Sequence, residues 1–351
     1  MKAVFTKPLM SWYQRNARDL PWRRTSDPYR IWISEIMLQQ TTVAAVIPYY
    51  ERWMKAFKNI DAVAKTPQQR ILKMWQGLGY YTRARNIHQA AKIICRNFGG
   101  KFPTTPQELA QLPGFGPYTA GAVASIAFDQ RVPIIDANVR RVVMRQLAKQ
   151  GKADTSHDKP ILEFLNQVMP GKNNRIFNQA LMELGALVCR NHQPLCLACP
   201  VKATCRAYEK GIQELIPESG KSRLEDVSAV IAVIQHGSKF FLQKRPSQGL
   251  FANLWEFPGG KIERGETEVK ALVREVKEEL GAEIASARHI LNVQHFYTRF
   301  RVQLSVWLCR SENTLVEDAS HKWLTLQQLK KYPLPSGSAK IVDHLLTRDS
   351  A

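Results

Sequence analysis

The chain has 351 residues, of which 44% are hydrophobic and 23% charged, a composition typical of a globular protein with two or three domains. The 50 Lys and Arg residues exceed the 30 Asp and Glu residues by 20 charges, which favours a polyanionic partner such as a nucleic acid. No apolar run approaches the ~18 residues of a membrane span, and no signal-peptide pattern is visible, so we expect a cytoplasmic protein with reduced thiols.

Apolar residues recur at spacings of three and four over residues 1–215, which predicts an all-α domain there. The helical segments are predicted at residues 31–46, 71–78, 87–98, 139–147 and 176–188. Within the first of them, Glu35 has mostly apolar neighbours. If its side chain points inward, its pKa should rise, and it becomes a candidate general acid. Helix periodicity alone favours the other interpretation, an exposed glutamate on an amphipathic helix.

A glycine-rich turn is predicted at residues 112–120, between two helical segments. Gly114 and Gly116 allow a tight turn that exposes backbone N–H groups, and a helix N-terminus follows it. Such an arrangement can bind a phosphate, although an isolated turn of this kind more often only joins two helices. Further along, Asp136 ends the apolar run 132–135 and is predicted to be a helix N-cap. Alternatively, it is a carboxylate that the helix N-terminus keeps ionised.

Four cysteines lie close together in the chain, in a loop over residues 189–205 that follows a helix. A reducing compartment favours metal binding over disulfides for such a group. The spacing alone fits either a structural zinc ion or a four-iron cluster. The candidate ligands are Cys189, Cys196, Cys199 and Cys205.

The character of the sequence changes after the cysteines. Residues 216–226 are polar and are predicted to be a linker. A β-hairpin is predicted over 227–243, a helix over 266–280, a strand over 302–308 and a helix near 339–346. Residues 227–351 therefore form a predicted α+β domain.

An acidic motif lies in this second domain. Glu275, Glu278 and Glu279 share one face of the predicted helix, where they can hold Mg²⁺ against a diphosphate. With Gly260, Glu266, Arg274 and Gly281 they match the Nudix box, and the stretch 255–263 is similar to MutT, a Nudix hydrolase that acts on 8-oxo-dGTP. The alternative is an inherited fold whose acidic helix face only forms surface salt bridges.

Motifs in the helical part occur in a characteristic order. They are Ser34–Thr41, Gly77–Arg85, Leu112–Ala122, Asp136–Val142 and the cysteine loop. Over nearly its full length the chain resembles the MutY family of adenine DNA glycosylases, in the helix–hairpin–helix, endonuclease III-like superfamily. The resemblance implies a helical glycosylase domain over 1–215 with a [4Fe–4S] cluster in the cysteine loop, a linker over 216–226 and a Nudix-fold domain over 227–351 that reads 8-oxoguanine.

The resemblance also implies roles for single residues. Glu35 would protonate adenine, and Asp136 would stabilise the oxocarbenium-like sugar, with Tyr118 and Asn138 positioning that carboxylate and the water. Relatives with lyase activity have a lysine at position 118, so Tyr118 favours base removal without strand cleavage. The implied adenine and duplex contacts are Trp22, Arg23, Leu38, Gln40, Tyr80, Gly114, Gly116 and Gln179. The loop that engages 8-oxoguanine aligns with Tyr297, Thr298 and Arg299, where arginine replaces the family's usual histidine.

These features predict a monofunctional adenine glycosylase, acting as a monomer on duplex DNA with A:8-oxoguanine or A:G mispairs. The chain is then a nucleoid-associated protein of bacterial type, in which Mg²⁺ at the Nudix box adds a possible 8-oxo-dGTP pyrophosphatase activity. Three other functions are compatible with parts of the sequence: a lyase-type pyrimidine glycosylase, which Tyr118 opposes, a Nudix hydrolase that the helical part tethers to DNA, and a DNA-binding module without enzymatic activity. The last does not explain an acid with apolar neighbours together with a carboxylate at a helix start. Sliding-clamp or mismatch-repair partners leave no readable signal in the sequence.

Overall fold

The computed structural model describes residues 2–218, 224–297 and 300–349. The chain forms two compact units, and the first, called here the helical unit, comprises residues 1–65 and 89–221. The second, called the C-terminal unit, comprises residues 66–88 and 222–351. A short segment from the first third of the sequence thus packs with the end of the chain.

The first part of the chain is helical. Its helices are α1 (Lys2–Asn16), α2 (Pro28–Leu38), α3 (Val43–Ala56), α4 (Ile60–Lys65), α5 (Gln68–Trp75), α6 (Thr82–Phe98), α7 (Pro106–Leu109), α8 (Pro117–Phe128), α9 (Ala137–Leu147), α10 (Asp158–Val168), α11 (Asn174–Leu187) and α12 (Arg206–Glu209). Helix α5 and the beginning of α6 belong to the C-terminal unit. Within the described part of this region, no residue forms an extended strand, as the sequence predicts.

The helical segment predicted over 31–46 is interrupted. Helix α2 ends at Leu38, and α3 begins at Val43 after Thr42 in an extended conformation. Between them Gln40 has a φ of 56°, in the left-handed region. A turn therefore replaces one helical turn, and it points the end of α2 into the cavity described below.

Helix α8 is apolar on nearly all sides, with residues from Thr119 to Ile126 buried. A helix of this kind belongs inside a domain, and its small side chains permit close packing against α2 and α11. Pro117 occupies the first turn of α8, where its missing N–H costs no hydrogen bond. Packing against the buried helix α8 thereby fixes the position of Glu35 on α2.

The C-terminal unit contains a mixed sheet. Its strands are β1 (Glu225–His236), β2 (Lys239–Lys244), β3 (Trp255–Glu256), β4 (Ile284–Tyr297), β5 (Phe300–Ser311) and β6 (His321–Thr325), with helices α13 (Glu268–Leu280), α14 (Leu326–Leu329) and α15 (Ser336–Asp349). The strand order is β3-β2-β1-β5-β4, and β6 also pairs with β2. The predicted hairpin is present, because β1 and β2 pair antiparallel at Gln235 with Phe240. Strand β1 also pairs in parallel with β5 over most of its length.

Each face of this sheet has its own core. Leu272 and Val276 of α13 pack with Val230 and Ile234 of β1 on one face. Ile341 of α15 belongs to the core on the other face. Helix α13 begins at the N-cap Thr267 and ends at Gly281, whose φ of 62° suits a helix C-terminus.

The segment predicted as a linker, residues 216–226, has three parts. Ile216 is fully buried in the core of the helical unit, and the backbone N–H of Glu218 donates to Gly151 at 2.9 Å. Residues 219–223 lie outside the described residues. Strand β1 begins at Glu225, so the sheet starts two residues before the predicted boundary.

Candidate active site

A cavity of about 580 Å³ lies in the helical unit, within the size range of small-ligand sites. The end of α2, the N-termini of α8 and α9, and one side of α11 all contribute to its wall. Nine of the residues implied as catalytic or base-binding line it: Trp22, Arg23, Glu35, Leu38, Gln40, Tyr118, Asp136, Asn138 and Gln179. Residues from distant parts of the sequence therefore converge on one site.

Glu35 is buried on α2, with 6% of its surface exposed. Burial raises the pKa of its carboxyl group to about 7, the Tyr118 hydrogen bond lowers it, and the nearby Asp136 charge raises it further. The inward orientation is therefore observed, and the exposed alternative is wrong. A carboxyl group with this pKa is protonated in part of the molecules at neutral pH.

Tyr118 donates its hydroxyl hydrogen to Oε2 of Glu35 at 2.7 Å. The resemblance implies that this tyrosine positions Asp136, but the hydrogen bond in the structure is to the other carboxyl group. Tyr118 lies at the second position of α8, directly after the glycine-rich turn, and that location brings its hydroxyl to α2. Tyr118 thus orients Glu35.

Asp136 is the N-cap of α9, as predicted, and accepts a 2.6 Å hydrogen bond from the backbone N–H of Val139. The side-chain amide of Asn138 donates to its other oxygen at 3.1 Å. Burial is the largest influence and leaves the pKa of Asp136 above its usual value, although these two hydrogen bonds and the charge of Arg141 lower it in part. Asp136 therefore has more hydrogen-bond donors and nearby positive charge than Glu35, which has the Tyr118 hydroxyl. These partners favour the carboxylate form of Asp136.

One functional candidate, Glu183, has no counterpart in the sequence-based predictions. Its side chain is fully buried and forms ion pairs at 2.7 Å with Arg18 and Arg23. Burial alone raises the pKa of Glu183, but the hydrogen bonds from the two arginines outweigh it and hold the pKa at about 2. Four residues earlier on α11, Gln179 accepts a hydrogen bond from the Tyr13 hydroxyl at 2.8 Å. This spacing of four on a buried helix face was the available sequence signal.

The proposed duplex contacts are distributed over both units. Leu38 and Gln40 lie at the cavity, whereas Tyr80 lies in the C-terminal unit with a φ of 46°. In the glycine-rich turn, Gly114 has a φ of 80°, which favours glycine. Gly116 has ordinary backbone angles and caps α8 without a side-chain hydrogen bond, so the first N–H groups of that helix have no capping side chain.

The four clustered cysteines line one cavity beside α9. Arg145, 1% exposed, donates to the sulfur of Cys189 at 3.3 Å. It also donates to carbonyl oxygens of Arg190, Asn191 and Ile216 at 2.6–3.0 Å. Among the described residues, no three His, Cys, Asp or Glu side chains stand close enough together to hold a single metal ion.

The Nudix-box residues lie on α13 and in the segment before it, where the carbonyl oxygen of Gly260 accepts from the N–H of Val230 in β1 at 2.9 Å. A Cβ on Gly260 would lie 2.3 Å from the Glu275 carboxylate oxygens, so a larger residue there would displace that carboxylate. Arg274 donates to Glu275 at 2.9 Å and to Glu278 at 3.1 Å. Oε2 of Glu279 accepts from the backbone N–H of residue 259 at 2.9 Å. These groups are present, and each carboxylate has a protein partner.

The predicted 8-oxoguanine loop falls at the end of β4. Thr298 and Arg299 lie outside the described residues, and of Tyr297 only the backbone, in β4, is described.

Among the described helices, none is both long and apolar enough to cross a membrane.

Comparison with known proteins extends this geometry. Residues 33–167 match the family model of the HhH-GPD superfamily of base excision DNA repair proteins, and residues 229–344 match the NUDIX domain. A thermostable thymine-DNA glycosylase is similar in structure, with a TM-score of 0.53 and 31% identity, over 60% of this chain and 97% of that chain. An endonuclease III in complex with DNA shares the fold at a TM-score of 0.50 and 23% identity, over 58% of this chain and 94% of that chain. The fold and site define a helix–hairpin–helix DNA glycosylase of base excision repair with a Nudix domain.

Curated relatives specify the family. An adenine DNA glycosylase of Buchnera aphidicola (subsp. Baizongia pistaciae) is 39% identical over 73% of this chain and 73% of its own length. The adenine DNA glycosylase of Homo sapiens is 32% identical, over 96% of this chain and 73% of its own length. That of Buchnera aphidicola (subsp. Acyrthosiphon pisum) is 32% identical over 98% of each chain. The chain therefore belongs to the adenine DNA glycosylase family.

Proposed function

We propose that this glycosylase removes adenine from A:8-oxoguanine and A:G mispairs in duplex DNA by hydrolysis of the N-glycosidic bond. The observation that carries the proposal is that two buried carboxyl groups, Glu35 and Asp136, line one cavity in different surroundings. Two carboxyl groups with separated proton affinities can act as an acid and a carboxylate at the same pH. The adenine family and the helix–hairpin–helix fold supply the substrate class.

Glu35 is the general acid in this proposal. A pKa of about 7 keeps its proton available near neutral pH, and transfer to N7 of an extruded adenine makes the base a better leaving group. The 2.7 Å hydrogen bond from Tyr118 holds the carboxyl group in one orientation. Proton donation thus depends on the burial of α2 and on the position of one hydroxyl.

Asp136 stabilises the positive charge that develops on the sugar as the base leaves. Its carboxylate is oriented by the N–H of Val139 and by the amide of Asn138. Because these donors are in place before the reaction, the site needs little reorganisation as charge develops. Water then attacks C1′ of the sugar and loses a proton. If the carboxylate has formed a transient bond to C1′, the attack breaks that bond and releases the carboxylate.

The side chain at position 118 separates this reaction from that of a lyase. A tyrosine hydroxyl cannot form the Schiff base that a lysine amine forms with the sugar. In the structure that hydroxyl is hydrogen-bonded to Glu35. We therefore propose base removal without β-elimination, in contrast to a lyase-type pyrimidine glycosylase.

Base and duplex recognition are assigned to both units. Trp22, Arg23 and Gln179 would contact the adenine. Because Gln179 Oε1 already accepts from Tyr13, its amide nitrogen is the group that would donate to the base. Leu38, Gln40 and Tyr80 fill the space beside the extruded nucleotide, which offsets a few kcal/mol of unstacking. The turn with Gly114 and Gly116 contacts a phosphate through N–H groups.

Residues 227–351, including Tyr297, Thr298 and Arg299, read the 8-oxoguanine, and residues 1–215 excise the adenine. The acting form is a cytoplasmic, nucleoid-associated monomer.

A [4Fe–4S] cluster in the cysteine loop is part of the proposal. Four thiols line one cavity, and burial raises the pKa of Cys199 to about 12, so its thiolate requires a positive centre nearby. The ligands would be Cys189, Cys196, Cys199 and Cys205. The cluster would hold the loop in place, and the basic side chains of the loop would contact DNA phosphates.

The test is the substitution Glu35→Gln, which removes the acidic proton and keeps the shape. Single-turnover release of adenine from an A:8-oxoguanine duplex is expected to fall by at least ~10²-fold. Glu163→Gln, at an exposed glutamate of α10 away from the cavity, serves as the matched control and should excise at the wild-type rate. Excision that survives Glu35→Gln contradicts the assigned acid.

A second activity is proposed for the Nudix box, namely Mg²⁺-dependent hydrolysis of 8-oxo-dGTP with release of pyrophosphate. Two contacts support it. Gly260 lies close to the Glu275 carboxylate, and the backbone N–H of Gly259 donates to Glu279 at 2.9 Å. The residues that would bind Mg²⁺ are Glu275, Glu278 and Glu279.

Pyrophosphate release by the purified full chain, with and without Mg²⁺, tests this activity. Glu278→Gln should abolish the release, whereas Glu263→Gln, outside the helix face, should not. If the wild-type chain with Mg²⁺ releases no pyrophosphate from 8-oxo-dGTP, the Nudix fold serves only in DNA recognition.

A further inference from the structure

Residues 66–88 precede the glycine-rich turn in the chain, yet they pack with the C-terminal unit. The segment consists of α5, the loop 76–81 and the beginning of α6. The proposed function places the duplex contact Tyr80 in this loop. The contacts that hold the loop are therefore relevant to how the C-terminal unit takes part in DNA recognition.

Three hydrogen bonds join this segment to residues 332–334. The hydroxyl of Tyr81 donates to the carbonyl oxygen of Leu334 at 3.1 Å, and both residues are buried. The backbone N–H of Leu334 donates to Oε1 of Gln76 at 3.2 Å. Lys73 donates to the carbonyl oxygen of Tyr332 at 3.0 Å. Residues on both sides of Tyr80 are thus attached to one short segment.

A second attachment lies at residues 251–252. The Arg85 guanidinium donates to the carbonyl oxygen of Ala252 at 3.0 Å. The ring of Phe251 meets the ring of Tyr81 edge to face, with centroids 6.3 Å apart. Tyr81 therefore contacts both C-terminal segments, one through its hydroxyl and the other through its ring.

The loop itself has an unusual backbone. Gly77, Gly79 and Tyr80 have φ values of 101°, 69° and 46°. Arg83 donates to two carbonyl oxygens of the loop at 3.0 and 3.3 Å, and its guanidinium lies 5.5 Å from the centroid of the Tyr80 ring. A tyrosine in the left-handed region is disfavoured in an unrestrained chain, so this conformation depends on its attachments.

We propose that Tyr81 is a positioning residue through which the Nudix domain, at residues 251–252 and 332–334, holds the Tyr80 loop in its duplex-engaging conformation. This inference rests on the proposed function, which assigns Tyr80 to the duplex. A side chain that enters a base stack binds more tightly when its loop is ordered beforehand, because less conformational entropy is lost on binding. The Nudix domain thereby contributes to mispair recognition without contacting the lesion.

The experiment is a double-mutant cycle with Tyr81→Phe and Tyr80→Ala in the full chain. Tyr81→Phe keeps the ring and removes the hydroxyl, which donates to Leu334 and accepts from the N–H of Gly77 at 3.5 Å. Affinity for an A:8-oxoguanine duplex should therefore fall about threefold to tenfold. The rise in fluorescence of a 2-aminopurine beside the mispair should shrink in parallel. In the Tyr80→Ala background, Tyr81→Phe should have no further effect, because the residue acts through Tyr80.

Two further variants make the result specific. Tyr29→Phe removes a comparable buried hydroxyl, which donates to the Phe57 carbonyl oxygen at 2.8 Å, and should leave affinity unchanged. Gln76→Leu removes the acceptor for Leu334 and should reproduce the effect of Tyr81→Phe.

Equal losses of duplex affinity from Tyr81→Phe in the wild-type and Tyr80→Ala backgrounds would overturn the inference. Wild-type affinity in both Tyr81→Phe and Gln76→Leu would also overturn it, and so would wild-type affinity in Tyr80→Ala. Excision of adenine from the same duplex by the wild-type chain is measured in parallel. If the proposed function is wrong, the wild-type chain releases no adenine, whereas a failure of this inference leaves that release intact.

Discussion

Glu35 and Asp136 are both carboxyl groups in one cavity, but their hydrogen-bond partners and nearby charges differ. Glu35 has one hydrogen-bond donor, the Tyr118 hydroxyl, at 2.7 Å. Asp136 accepts hydrogen bonds from Val139 and Asn138 and faces the charge of Arg141. Donors and positive charge favour a carboxylate, whereas burial favours the neutral acid, so the surroundings of Asp136 support its carboxylate form more than those of Glu35 do.

This difference predicts the pH dependence of excision. Glu35 is active when protonated, so the single-turnover rate should fall as the pH rises through about 7. At low pH the rate should fall again as Asp136 is protonated. Rates measured from pH 5 to pH 9 with saturating enzyme test the profile, and a rate that climbs through pH 7 would contradict the role of Glu35.

Tyr118→Phe supplies the matched variant for that profile. The hydroxyl lowers the pKa of Glu35 by stabilising the carboxylate, so removing it raises this pKa. The descending limb should therefore move to higher pH in Tyr118→Phe, with a reduced maximal rate because the carboxyl group is less well oriented.

At the scale of elements, helices α9 and α11 approach unusually closely beside the site. A Cβ on Gly185 of α11 would lie 2.5 Å from Cβ of Asn138. Arg141 of α9 spans the same contact, donating to the carbonyl oxygen of Gly185 at 2.7 Å and to Asn138 Oδ1 at 2.9 Å. The glycine thus permits the helix contact that holds the partner of Asp136.

Gly185→Ala is expected to displace Asn138 and to lower the rate of excision at least tenfold. Overpacking of this kind costs about 1–3 kcal/mol of stability. Gly171→Ala, where no atom lies within 4 Å of the added methyl group, is the control and should change neither quantity. Single-turnover kinetics and chemical denaturation measure the two effects, and full activity in Gly185→Ala would show that Asn138 does not depend on this packing.

Arg145 of α9 makes several of the hydrogen bonds that hold the cysteine loop. Arg145 donates to three loop or linker carbonyl oxygens and to the sulfur of Cys189. A buried carbonyl oxygen left without a donor costs about 1–3 kcal/mol. Arg145 therefore connects the loop to the rest of the helical unit.

Arg145→Met is expected to lower stability by several kcal/mol and to reduce the iron content of the purified protein. Iron-to-protein ratios and thermal unfolding provide the measurements. Arg131→Met removes an arginine that donates to a carbonyl oxygen at an exposed position and should retain both properties. Full iron content in Arg145→Met would show that iron binding by the loop does not depend on this arginine.

At the scale of the molecule, the excess of 20 positive charges predicts how DNA binding responds to salt. If six to ten phosphates are contacted, affinity should fall about 10³- to 10⁵-fold between roughly 50 and 200 mM salt. Titrations of a duplex over that range give the slope. A single strand of the same sequence should give a shallower slope per contact, and a salt-independent affinity would contradict phosphate binding.

The fold classes were predictable because hydrophobic periodicity is a local property. Helices appear where apolar residues recur at three and four, and the β1–β2 hairpin forms around residues 236–238 as predicted. The turn at Gln40 was missed because apolar residues continue on both sides of the short polar run 39–42, so the pattern predicts a single helix there. The assignment of 66–88 to the C-terminal unit was also beyond local pattern, since it arises from hydrogen bonds to residues more than 160 positions away.

The sequence by itself determined which chemical groups this glycosylase has: its acid and carboxylate candidates, the four clustered cysteines of its cysteine loop, its Nudix box and its excess of positive charge. Tertiary structure alone decided that Glu35 is buried, that Tyr118 binds Glu35 and not Asp136, and that Glu183 holds Arg23 in the base cavity. The reason is physical: proton affinity and hydrogen-bond partners depend on the few atoms around a group. Those atoms come from helices distant in sequence, brought together only when the apolar faces are buried.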